Sequence, residues 1–185
     1  REYLEVKKDL AITLGLRVSK IYDWSATGSL GFQQRCGLRV YLDNRDVITS
    51  SIEVLIDRLD SLGLLLWWLD DGCLSVHEKK NGTSVSRFGY LGTEAFNQEY
   101  NHHISQALFA KFGLSTNVHI DRGGIVSPDA TYYRLYFNAT SMRQLIDIVR
   151  PWLRLVPSSM LYKLNMQYRP TRLKTSEEYT RLYNF

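Results

Sequence analysis

Two adjacent carboxylates, Asp70 and Asp71, stand where an unusually apolar stretch ends. The run from Asp60 to Val76 reads DSLGLLLWWLDDGCLSV, and between Leu62 and Leu69 only Gly63 is not a large apolar residue. In the last turn of a helix, two carboxylates repel each other and the negative end of the helix dipole. Such a pair needs compensation, and the simplest is a bound divalent cation. Oxygens from Asp70 and Asp71 beside the backbone carbonyl at Gly72 form a hard donor set that suits Mg²⁺.

The element that must carry these groups is a helix. Asp60 or Ser61 can cap its start, and Gly72 can supply the left-handed residue that ends it. Apolar side chains all round the cylinder predict burial on every side. At about ten residues the helix is far too short to cross a bilayer.

The rest of the chain reads as alternating helices and hairpins. Arg1 to Gly15 places Tyr3, Val6, Leu10 and Leu14 on one helical stripe. Arg17–Trp24 and Arg35–Leu42 are strand-like around the turn Ser25–Gly31, and Ser50 with Glu53 forms a capping box opening a helix to about Leu59. After Gly72, Leu74–His77 and Ser84–Gly92 form a hairpin. A helix from Asn97 to Phe112 follows, with Tyr100, Ile104, Leu108 and Phe112 on one face, then Gly113. A second hairpin pairs Asn117–Asp121 with Tyr132–Asn138. A helix from Ser141 to Leu155 is interrupted near Pro151.

Two halves of this order repeat. Glu2-Tyr3 through Gly15-Leu16 matches Glu99-Tyr100 through Gly113-Leu114, and Arg39-Val40-Tyr41-Leu42 matches Arg134-Leu135-Tyr136-Phe137. Residues 1–60 then form an incomplete first repeat without a motif helix or first hairpin. Residues 61–168 form a complete second repeat, and residues 169–185 a basic tail.

Composition sets broad limits. The 185 residues are 44% apolar and 23% charged, an ordinary globular balance, and the net charge of +4 mildly favours a polyanionic partner. Cys36 and Cys73 have no CxxC spacing, and His77, His102, His103 and His119 make no HExxH set, so zinc and disulfide frameworks find no support. No cofactor loop or nucleophile motif of a metabolic enzyme is present, nor any signal peptide or membrane segment. The expected location is intracellular: an organelle, or bacterial or phage cytoplasm.

Leu64 to Gly72, LLLWWLDDG, resembles the variant LAGLIDADG motif of homing endonucleases, in the branch whose second copy ends in W-[WF]-[LM]-D-D-G. The likeness extends to Phe88-Gly89-Tyr90 and to Tyr162-Lys163-Leu164, and so covers most of the chain. It implies an α+β fold of αββαββα repeats, a saddle with antiparallel sheets on the concave side, helices behind, and the motif helix at a pseudo-twofold interface. It implies Mg²⁺-dependent cleavage of double-stranded DNA at a long target site, with Asp71 as the metal ligand and Asp70 beside it. Lys163 would lie near the scissile phosphate. With one motif, the chain is expected either to dimerise through the motif helix or to be part of a longer pseudo-symmetric monomer.

On the same resemblance the hairpins would lie in the major groove. Tyr132, Arg134 and Tyr136 alternate with Tyr133, Leu135 and Phe137, giving one polar and one greasy face; Arg39 and Tyr41 mirror them. Gln33, Arg35 and His77 are further candidates on the strands, and Lys79, Lys80, Arg87 and Arg122 are expected to grip phosphates. Two features depart from the family pattern. Leu65 and Leu66 stand where the motif usually has small residues, and Asn44-Arg45-Asp46 stands where the first repeat should offer a counterpart of Lys163. The alternative is therefore a non-cleaving DNA- or RNA-binding relative, such as a group I intron splicing factor (maturase) whose partner is intron RNA.

Overall fold

The computed structural model describes residues 1–13, 17–24, 29–31, 34–35, 51–78, 85–122 and 131–166. Upstream lie helix α1 (Glu2–Thr13), the short strands β1 (Arg17–Val18), β2 (Tyr22–Trp24), β3 (Ser29–Gly31) and β4 (Gln34–Arg35), and helix α2 (Ile52–Arg58). The motif helix α3 (Ser61–Asp71) leads into β5 (Gly72–Glu78), β6 (Val85–Leu91), α4 (Gln98–Phe112), β7 (Asn117–Arg122), β8 (Thr131–Phe137) and α5 (Ala139–Val149). Two 3-10 turns follow, Arg150–Leu155 and Ser158–Lys163. From α3 onward this is the expected αββαββα order. In the upstream half, β1 pairs with β4 and β2 with β3, both antiparallel. The expected strand segment Arg39–Leu42 lies outside the described residues. Among the described residues no helix is long and apolar enough to cross a membrane.

The four strands pair antiparallel in the order β5-β6-β8-β7. Alternation along them buries Leu74, Gly89, Leu91, Leu135 and Phe137 on one face, where α3, α4 and α5 supply Leu64, Leu65, Trp68, Ile104, Leu108, Met142 and Leu145. Trp68 is fully buried and meets Phe137 edge to face, ring centroids 5.5 Å apart.

Helix α3 starts as its sequence predicts. The Asp60 carboxylate accepts a hydrogen bond from the Gly63 amide at 2.7 Å. Its end differs from expectation: Gly72 has φ −81° and ψ 145°, an extended residue that opens β5 directly. Glycine is needed there for space. A Cβ would stand 2.7 Å from Trp68 Cε3 and closer still to the Trp68 carbonyl oxygen. Burial on every side is also corrected. Leu64, Leu65, Trp68 and Leu69 are buried, whereas Leu62, Leu66 and Trp67 are partly exposed, on the side where α1 brings Tyr3 to the Leu66 carbonyl and Lys7 to Asp70.

Three smaller expectations shift for local reasons. The N-cap of α2 is Ser51, not Ser50, and a hydrogen bond from Ser51 holds the Glu53 carboxyl below its usual pKa. In α4, which stops at left-handed Gly113 as expected, Tyr100 is exposed and Asn101 takes its place inward. The Asn101 amide donates to the carbonyls of Thr93, Phe96 and Asn97, and its oxygen accepts from the Thr93 hydroxyl. A fully satisfied buried amide carries no apolar signal for periodicity to detect. The last helix starts at Ala139, on Asn138, and ends at Val149, with Pro151 in the 3-10 turn beyond.

Gly89 gives a direct test of this packing. A Cβ there would lie 2.6 Å from Trp68 Cη2 and also press on the Met142 sulfur. Gly89→Ala is expected to destabilise the fold by about 1–3 kcal/mol, read from urea denaturation.

Candidate functional site

The candidate centre is the C-terminal end of α3, where four elements meet. Asp70 and Asp71 are both exposed, and no described residue pairs with the Asp71 carboxylate. The Asp71 backbone carbonyl accepts from the Gly92 amide at 2.9 Å, which ties the helix end to the strand exit. Lys163, on the second 3-10 turn, reaches the same place from 94 residues away: its Nζ donates to the Leu69 carbonyl at 2.7 Å and lies 3.4 Å from that of Asp70. Its own carbonyl accepts from the buried Trp68 indole at 3.0 Å. A cation on the free carbonyls at a helix C-terminus is the favourable sign for the dipole. Burial pushes the Lys163 ammonium below the ordinary lysine pKa, opposed by Cys73, Asp70 and Asp71.

A second cation arrives from α1. Lys7 Nζ lies 2.9 and 2.8 Å from the two oxygens of Asp70, and the Tyr3 hydroxyl donates to the Leu66 carbonyl at 3.2 Å. Burial and the neighbouring Asp70 raise the Tyr3 pKa above that of a free phenol. Sequence reasoning placed Tyr3 on the apolar stripe of α1 and missed Lys7. The only available signal was that Lys7 lies one turn after Tyr3.

This arrangement bears on the metal expected from the residues Asp70, Asp71 and Gly72. Asp70 is engaged by Lys7 through both oxygens, and Gly72 is committed to the helix end and to pairing with Leu91. Of the three, Asp71 presents a carboxylate that no described residue pairs with, and among the described residues no group of three or more His, Cys, Asp or Glu side chains gathers to hold an ion. One carboxylate fits a shared site, completed by a second acid or by phosphate oxygens. It does not fit a self-sufficient one. Lys7→Met is expected to free Asp70 and raise Tb³⁺ affinity several-fold. The readout is lanthanide luminescence sensitised by the nearby tryptophans, and the stability cost should stay within about 1 kcal/mol.

The sheet face away from the helices holds the other candidates. Tyr132, Arg134 and Tyr136 share it with His77, as the register of β5, β6 and β8 requires. It also carries Phe88, Tyr90 and His119, which the sequence reading did not select as contacts. Arg134 is paired with Asp121 at 2.8 Å. Arg87 alternates with Phe88 and so falls on the opposite face, with Gly89 and Leu91, where its Nε has no hydrogen-bond partner. Arg122 is exposed at the end of β7, on the side of Val118 and Ile120, opposite the ring-bearing face. Arg35 is paired with Arg17 through the backbone. Gln33, Arg39, Tyr41, Lys79 and Lys80 lie outside the described residues, as do Asn44-Arg45-Asp46.

No curated protein sequence matches the chain. Among solved structures, the homing endonuclease I-WcaI bound to its DNA recognition sequence is similar, with a TM-score of 0.57 over 88% of this chain and 71% of that one. The two are 14% identical, so the likeness is one of fold. The sequence also matches the LAGLIDADG DNA endonuclease family over residues 11–145, a span that holds α3, both hairpins of the sheet and Asp71, though not Lys163. The chain therefore belongs to the LAGLIDADG DNA endonuclease family.

Proposed function

We propose that the chain is a site-specific DNA endonuclease that makes metal-dependent double-strand breaks at a long target site and is encoded by a mobile intron. The observation that carries this reading is Lys163 Nζ seated on the Leu69 and Asp70 carbonyls, in the same last turn of α3 that carries Asp71. A carboxylate that no described residue pairs with, in the helix turn that also receives a partly buried ammonium, is a fit for one phosphodiester and one cation. The structural likeness to a DNA-bound homing endonuclease supports DNA as the partner.

Asp71 would hold the divalent cation, with Mg²⁺ the expected ion. When bound, such a cation activates water and offsets charge on the phosphate. The rest of the work falls to the chain itself. Lys163 holds its protonated amine against the Leu69 carbonyl and can exchange that contact for a phosphate oxygen as charge develops. Trp68 fixes the Lys163 backbone from below. Lys7 keeps Asp70 turned toward α1, so that a second negative group does not face the phosphate. A single Asp71 requires a second acid from another repeat, either upstream in a longer chain or from a second copy through the motif helix.

A second reading has its own observation. Lys7 and Lys163 already offset charge at the helix end, so the fold is compatible with having lost the metal and kept nucleic-acid binding, as a maturase would. The full-length protein, incubated with source-genome DNA that includes intronless alleles, separates the two. Discrete double-strand products in Mg²⁺ and none in Ca²⁺ are the expected result. Tight, salt-sensitive binding without a cut in any metal overturns cleavage and favours intron RNA.

A further inference from the structure

Rings cross the open face of the sheet in a single row, one from each strand. His77 on β5, Phe88 on β6, Tyr136 on β8 and His119 on β7 follow one another with centroids 5.0, 5.4 and 4.4 Å apart. These steps match the spacing of neighbouring strands, about 4.8 Å. The last two rings are parallel to within 2°. Parallel rings so close stand face to face, upright on the sheet, and present their edges outward. Tyr90 packs beside the row, 5.4 Å from Phe88 and 5.5 Å from Tyr136. Helices α4 and α5 lie against the opposite face.

The row changes what this face can read. Phe88, near its middle, offers no hydrogen-bonding atom. Arg134 is the residue type that reads guanine by two parallel hydrogen bonds. Here it lies 4.1 Å over the Tyr90 ring, with Nη2 held by Asp121 at 2.8 Å, so it is poorly placed for that job. Hydrogen-bond readout from the row is left to the Tyr136 hydroxyl and to the His77 and His119 rings at its two ends. In the major groove of a B-form duplex the one apolar group on a base edge is the 5-methyl of thymine. We propose that this face selects thymine, with the ring edges of Phe88 and Tyr136 packing against 5-methyl groups in the half of the duplex beneath the second repeat. The proposal rests on the DNA-binding reading above and adds the sequence preference of that surface.

The test needs no damaged protein. The full chain is used to select from a random duplex library in Ca²⁺, and affinity for the selected duplex is measured by anisotropy at one fixed salt concentration. Each thymine is then replaced by deoxyuridine, which removes only the methyl. A cluster of thymines at one end of the selected site is expected, with binding weakened about fourfold for each contacted methyl. Phe88→Leu should shrink that ratio while its melting curve confirms that the sheet is intact. Equal affinity for thymine and deoxyuridine duplexes at every position overturns the proposal and leaves duplex binding standing. Single strands bound more tightly than any duplex also overturn it, because the rings would then stack on bases. Absence of nucleic-acid binding in every form removes the DNA-binding reading and this inference with it.

Discussion

Asp71→Asn is expected to lower DNA cleavage by a factor of about 10²–10³ or more while leaving the protein folded and bound to its target. The two effects separate because of where Asp71 stands. Its carboxylate is exposed and no described residue pairs with it, so nothing in the packing depends on its charge. Asparagine has the same shape and keeps the backbone contact from Gly92 to the Asp71 carbonyl. It also removes one negative charge from the negative end of the α3 dipole, which should stabilise slightly, by a few tenths of a kcal/mol. Paired cleavage time courses and melting curves give the result. A variant that still cuts at the parental rate removes Asp71 from the chemistry. A variant that cuts poorly because it melts early would mean that Asp71 serves the fold as well as the chemistry. The same change in a chain that only binds would alter neither quantity, so the experiment also weighs the second reading.

Trp68 carries the largest expected effect on stability, and it links the core to the site. Its indole is fully buried against Phe137, fits over Gly72 and Gly89, and donates to the carbonyl of Lys163. Trp68→Ala should cost about 3–5 kcal/mol through the cavity. A further ~1–3 kcal/mol should come from the Lys163 carbonyl left without its donor. Against a typical total of about 5–15 kcal/mol, the variant is expected to lose roughly half of its stability. Trp68→Phe is the informative partner. It keeps most of the apolar contact and removes the N–H, so it should lose only about 1–3 kcal/mol. Cleavage should fall further than that loss of folded protein accounts for, because the turn that positions Lys163 loses its anchor. Urea denaturation and single-turnover rates on the same preparations measure both. Equal rates for Trp68→Phe and the parent would mean that the indole bond is structural only.

Much of the architecture was legible in the residues. Asp60 capping α3, the hairpin pairing of β7 with β8, the left-handed stop at Gly113 and the interruption near Pro151 all follow from side chains within a turn or two of where they act. The resemblance carried by LLLWWLDDG pointed to the family that residues 11–145 match. Other features read wrongly or not at all. Gly72 looked like a left-handed stop because glycine commonly is one; the ring of Trp68, packed in three dimensions, made it a matter of space. The face that Arg87 occupies, shared with Gly89 and Leu91, was set by the register of β6 and not by its residue type. Asn101 was invisible to apolar periodicity because its stability comes from four hydrogen bonds.

The sequence by itself determined the types and order of the elements, the apolar faces that must be covered, and the carboxylate that ends the motif helix. Only the tertiary structure decided which cations meet that helix end, Lys7 across 63 residues and Lys163 across 94, and which rings line up across the four strands. The reason is range. Backbone preference and hydrophobic periodicity act between near neighbours, whereas an ion pair or a ring stack between distant residues exists only after packing has fixed helix rotation and strand register.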